Sequence, residues 1–81
     1  MEISVQCYGV TRRLAGADFV TVSVDAGATV ADVLNALAQR GDDFAQVLKQ
    51  CAIALGDELV RRTHRLKSGD EIALLPPVAG G

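Results

Sequence analysis

Residues 20–38, VTVSVDAGATVADVLNALA, change their hydrophobic period partway along, and that change decides the architecture. Val20, Val22 and Val24 alternate with Thr21 and Ser23, the period-2 pattern of a strand with one buried face. The apolar positions then become Val30, Val33, Leu34, Leu37 and Ala38, an i, i+3, i+4, i+7, i+8 stripe along one side of a helix. Thr29 with Asp32 three residues on has the form of a capping box at the helix start. Gly41 stands where a left-handed residue is expected to close the helix.

Further strands flank this unit. Ile3, Val5 and Cys7 alternate with Glu2, Ser4, Gln6 and Tyr8, so a first strand is expected, joined to Val20–Val24 through a hairpin connection at Gly16-Ala17-Asp18. Phe44, Val47 and Leu48 suggest a second, shorter helical turn. Ala52–Leu55, Leu59-Val60 and Glu71–Leu75 read as strands, with turns at Gly56-Asp57 and Ser68-Gly69-Asp70. Two strands, a helix and further strands on so short a chain predict an α+β fold, a mixed sheet with one main helix across one face. This matches the β-grasp, or ubiquitin-like, arrangement, in which the first and last strands would be central and parallel. The expected division is a domain over residues 1–75 and a C-terminal tail over residues 76–81.

Composition narrows the function classes. Eighty-one residues, 49% hydrophobic and 22% charged, describe one small domain with a modest core. A net charge of −2 and 4% aromatic residues argue against nucleic acid as the main partner. No apolar run approaches the roughly 18 residues of a membrane helix, and MEISVQC lacks the basic-then-apolar order of a signal peptide, so a cytoplasmic location is expected. Cys7 and Cys51 lack metal or redox spacing, and no metal site is expected. Cys7 reads as core and Cys51 as the end of the second helical segment's apolar face. His64, the sole histidine, has no nucleophile or carboxylate pattern around it.

The richest chemistry lies in Pro76-Pro77-Val78-Ala79-Gly80-Gly81. Proline fixes φ and favours an extended path, so Pro76 and Pro77 are expected to carry the chain outward. Two glycines bring no side chains, which suits a peptide end that enters a narrow slot. A terminal carboxylate is ionised at neutral pH and unreactive. It needs an external activator, and attack on the α-phosphate of ATP is the usual route.

The segment Leu66–Gly81, LKSGDEIALLPPVAGG, resembles the C-terminal signature of the MoaD/ThiS-type sulfur carriers, on the side of the molybdopterin synthase small subunits. The Gly-Asp-Glu turn, the apolar strand and the Pro-Pro-Val-x-Gly-Gly end carry the resemblance. The rest of the chain agrees in length and element order. Thiamine-type carriers share the diglycine but do not characteristically carry the Pro-Pro stem.

The resemblance implies a non-catalytic carrier subunit of a sulfurtransferase. A ubiquitin-activating-like enzyme would adenylate the Gly81 carboxylate with ATP and Mg²⁺, and a sulfurtransferase would convert it to a thiocarboxylate. The synthase's large subunit, in a heterotetramer, would then receive the sulfur for cyclic pyranopterin monophosphate. No cofactor would be bound by this chain. Gly81 would bear the cargo and Gly80 give clearance, while Pro76, Pro77, Val78 and Ala79 would contact partners. Tyr8, Leu59 and Leu75 fall where the family places docking side chains, and parity sets Tyr8 opposite Ile3, Val5 and Cys7. Other readings stay open: a carrier or modifier of the same fold for thiamine, tRNA thiolation or cysteine synthesis, or a β-grasp interaction module without chemistry. Arg61, Arg62, His64, Arg65 and Lys67 form a basic cluster that is either a solvated loop or a steering patch.

Overall fold

A computed structural model describes residues 1–77. In chain order the elements are β1 (Glu2–Cys7), α1 (Val10–Ala15), β2 (Phe19–Ser23), α2 (Val30–Ala38), α3 (Asp42–Leu48), β3 (Ala52–Leu55), β4 (Glu58–Val60) and β5 (Glu71–Leu75). The five strands form one sheet in the order β2-β1-β5-β3-β4. β1 and β5 are parallel, with Val5 opposite Ile72 and Cys7 opposite Leu74, and the other pairings are antiparallel. A parallel pair demands a crossover, and everything between the two central strands serves as that crossover.

The central strands are central because their inward positions are the most apolar. Ile3, Val5, Cys7, Ile72 and Leu74 are buried. They meet Val33, Leu34 and Leu37 of α2, and Phe44 and Leu48 of α3, in one core cluster. Each fully buried aliphatic side chain contributes about 1.5–3 kcal/mol relative to exposure. The mixed sheet with α2 packed across it is the β-grasp fold that the pattern over 20–38 predicts.

α2 begins as the sequence indicates. Thr29 Oγ1 accepts from the Asp32 N–H, and the Asp32 carboxylate accepts from the Thr29 N–H at 2.9 Å. The same helix end is stitched to the basic segment: the Val30 N–H donates to the His64 carbonyl at 3.0 Å and the Ala31 N–H to the Arg62 carbonyl at 2.9 Å. These bonds satisfy donors that a helix leaves free in its first turn.

Two expectations need correction. The connection between β1 and β2 is not a simple hairpin turn but holds the short helix α1, which ends at Gly16 with φ 76°. Only Thr11 of α1 is buried, so no apolar stripe marks it. Gly41 is not a left-handed closure of α2. That helix is capped by Gln39 in ordinary right-handed geometry, and Gly41 is extended (φ 160°) and caps the start of α3. The turn expected around Phe44 is a seven-residue helix, long enough to bring both Phe44 and Leu48 into the core.

Candidate docking face and tail root

All helical core contacts lie on one side of the sheet, so the outward positions of the strands form a second face. Register assigns its rows. Phe19 stands opposite Gln6, Gln6 opposite Ala73, Ala73 opposite Ala54 and Ala54 opposite Leu59. One row therefore crosses all five strands, small or polar in the middle and large and apolar at both edges. Leu59 is 71% exposed and Phe19 48%. In the next row Leu75 stands opposite Ala52.

Tyr8, 44% exposed, lies just past the end of β1. With Gln6, Ala54, Glu71, Ala73 and Leu75 it borders a shallow depression of about 350 Å³. The structure thus brings Tyr8 and Leu75 together, half-burying Leu75 beside the exposed tyrosine. Leu59 does not join them, because it stands on the outermost strand of the same face. A contiguous apolar patch is what an interaction surface uses, whereas single exposed apolar residues are ordinary. Phe19 lies on this face and was not singled out from the sequence. Its parity, opposite to Val20 and Val22, carries the signal.

The tail begins at the edge of the depression. β5 ends at Leu75, and Pro76 follows it half-buried. Because β5 lies between β1 and β3, its end is held from both sides by ladder bonds, and Pro76 starts from a fixed position. Pro77 is exposed. Val78, Ala79, Gly80 and Gly81 lie outside the described residues.

The other sequence candidates have structural surroundings. Both thiols are free and buried. Burial pushes the Cys7 and Cys51 thiols above their ordinary pKa, an effect partly opposed by Arg40 and Arg62 respectively, and a neutral thiol is a poor nucleophile. Of the basic cluster, Arg62 is more than a solvated charge. Its guanidinium donates to the carbonyls of Leu48 at 2.9 Å and Cys51 at 3.2 Å, meeting carbonyls at and beyond the C-terminus of α3, where a cation is favourable. Arg61, His64, Arg65 and Lys67 are exposed. Among the described residues no three His, Cys, Asp or Glu side chains group as a metal site, and no helix is long and apolar enough to cross a membrane.

Fold and site together define a ubiquitin-like β-grasp protein with a helix-free sheet face, apolar at its edges, beside the root of its C-terminal segment. The chain matches the ThiS family over residues 5–81 and belongs to that family. It is similar to the molybdopterin synthase sulfur carrier subunit of Haemophilus influenzae, with 37% identity covering 98% of this chain and 99% of the relative. Among solved structures it resembles a chain in the complex of subunits 1 and 2 of the molybdopterin-converting factor from Helicobacter pylori, at 32% identity and a TM-score of 0.68, with full coverage of both chains. It also resembles SAMP1 from Haloferax volcanii, at 28% identity and a TM-score of 0.86, again with both chains fully covered.

Proposed function

We propose that this chain is the sulfur carrier subunit of molybdopterin synthase, acting in the cytoplasm with its cargo on Gly81. The observation that supports the reading is the placement of the tail's root at Pro76. The root continues from a central strand and adjoins Tyr8 and Leu75 on the bare face. The relative named as a sulfur carrier subunit and the likeness to a chain of a two-subunit complex support the same reading.

The chemistry follows from what a carboxylate lacks. A Gly81 oxygen attacks the α-phosphate of ATP within a ubiquitin-activating-like enzyme, with Mg²⁺ offsetting the phosphate charge, and pyrophosphate leaves. A sulfur nucleophile from a sulfurtransferase then attacks the acyl carbon, and AMP leaves with the former carboxylate oxygen. The acyl disulfide formed with the sulfurtransferase's persulfide is then cleaved by a thiol, which attacks the sulfurtransferase's cysteine sulfur and ends in a disulfide with it, and the thiocarboxylate leaves as a soft nucleophile at the end of the arm.

In the large subunit, within a heterotetramer, that sulfur attacks cyclic pyranopterin monophosphate. The large subunit supplies the acid, base and substrate contacts, so this chain needs no bound cofactor. Its own contributions are delivery and docking. Gly80 clears the slot and Pro76, Pro77, Val78 and Ala79 span it. Tyr8, Leu59 and Leu75 hold the partner.

The test is incubation with the cognate activating enzyme, ATP and a sulfur donor, read by intact mass. The expected product carries the mass of sulfur in place of oxygen at the C-terminus, and one residue added after Gly81 abolishes it. An unchanged mass with competent enzymes defeats the reading. The backbone likeness to SAMP1 favours a second reading, a carrier or modifier for another pathway. Restoration of molybdopterin formation in extracts lacking their own small subunit separates the two, since only the first reading requires it.

A further inference from the structure

Gly9, between β1 and α1, has φ 55° and ψ −127°, a conformation that residues with a β-carbon scarcely adopt. A β-carbon built there would stand 3.4 Å from Cγ of Pro76. The first residue after β5 therefore rests on the turn at the position where a side chain is missing. That turn is riveted from below. Thr11 Oγ1 accepts from the Tyr8 N–H at 2.9 Å and donates to the Tyr8 carbonyl at 2.6 Å, and the Thr11 N–H donates to the same carbonyl at 3.1 Å. Thr11 is fully buried, so its hydroxyl has no access to water and depends on these partners.

We propose that Thr11 and Gly9 are positioning residues that form a seat for Pro76 and set the direction in which the C-terminal segment leaves the domain. The proposal rests on the delivery reading above. Pro76 and Pro77 have φ fixed by their rings, and the seat fixes the orientation of the first ring against the body. An arm already aimed at its slot has less freedom to lose on entering it once the sheet face is docked. The loss of aim should therefore appear in the rate of loading, more than in the affinity of the docking face.

The experiment uses the full chain. Nuclear Overhauser contacts between the Gly9 α-protons and the Pro76 ring protons are expected in the wild type and are expected to fade in Thr11→Val, which keeps the shape and removes the hydroxyl. Loading by the activating enzyme is expected to fall about 3- to 10-fold in kcat/KM, with the docking Kd changed less than about 2-fold. Pro76→Ala removes the ring from the seat, so Thr11→Val added to it should lower loading no further, a non-additivity that a merely structural threonine would not produce. If Thr11→Val does not fold, Gly9→Ala takes its place in the same cycle.

Absence of the wild-type contact overturns the proposal, as does a lost contact with unchanged loading, or strict additivity with Pro76→Ala. If the wild type is not loaded at all, the delivery reading fails instead. The proton contacts and their response to Thr11→Val then still judge the seat.

Discussion

On the inner face of the sheet Ile3, Val5, Ile72 and Leu74 are closed off by helices, whereas on the outer face Gln6, Ala73 and Ala54 lie between an exposed Phe19 and an exposed Leu59. The same strands build both, because successive residues point to opposite sides. Leu74 and Leu75 are neighbours in sequence and belong to different problems. The first is fully buried and holds the domain together. The second borders the depression beside Tyr8 and the start of the tail. Stability and recognition can therefore be changed separately on one strand.

The largest expected effect tests the inner face. Leu74→Ala leaves a cavity between β5 and the helices and should cost about 2–5 kcal/mol, a large share of the stability of a domain this small. Urea denaturation measures it. Outer-face Leu75→Glu should instead leave the urea midpoint close to the wild type's and weaken binding to the large subunit by roughly 30-fold or more, the scale of an interface hot spot. Calorimetric titration provides the number. Equal losses of stability in the two variants would erase the distinction, and unchanged affinity would remove Leu75 from the interface.

A smaller effect belongs to the helix that separates the two faces' roles. Thr29→Ala removes the side-chain half of the capping box and should cost about 1 kcal/mol, read by thermal unfolding, with no loss of large-subunit affinity. The buried thiols supply a pH counterpart. Their pKa is raised in the fold, so the thiols' contribution to stability is complete below the unfolded-state pKa and declines as pH rises through the folded-state value. Stability measured at increasing alkaline pH should fall less in the Cys7→Ala, Cys51→Ala double variant than in the wild type, each compared with its own neutral value.

The inner face was the more legible in sequence because burial is written in periodicity. Val30, Val33, Leu34 and Leu37 announce α2, and the alternation of Ile3, Val5 and Cys7 announces β1. The helix α1 was illegible for the same reason. Its one buried side chain is the polar Thr11, and its exposed Leu14 blurs any stripe. Gly41 announced a break, but sequence does not state the hand of a glycine, and the helix beginning directly after it drew it into an extended cap.

The outer face was half legible. Parity placed Tyr8 and the family resemblance pointed to Leu75, while Phe19, between the expected Gly16-Ala17-Asp18 connection and the strand read from Val20, was assigned to neither. The contact of Gly9 with Pro76 joins the two ends of the chain, and no local pattern encodes it.

The smallest effect concerns charge at the edge of the molecule. Arg61, Arg65 and Lys67 are exposed on a segment whose backbone is tied to the start of α2, so their positions are fixed although the net charge of the chain is −2. If they steer the chain toward an acidic partner surface, neutralising all three should slow association about 3- to 10-fold at low salt, leave dissociation nearly unchanged, and flatten the salt dependence of the on-rate. Arg62 is excluded from that set because its guanidinium is bonded to α3, and Arg62→Ala should register as lost stability instead. Stopped-flow association measured across ionic strength makes the comparison, and a wild-type on-rate indifferent to salt would leave the cluster a solvated segment.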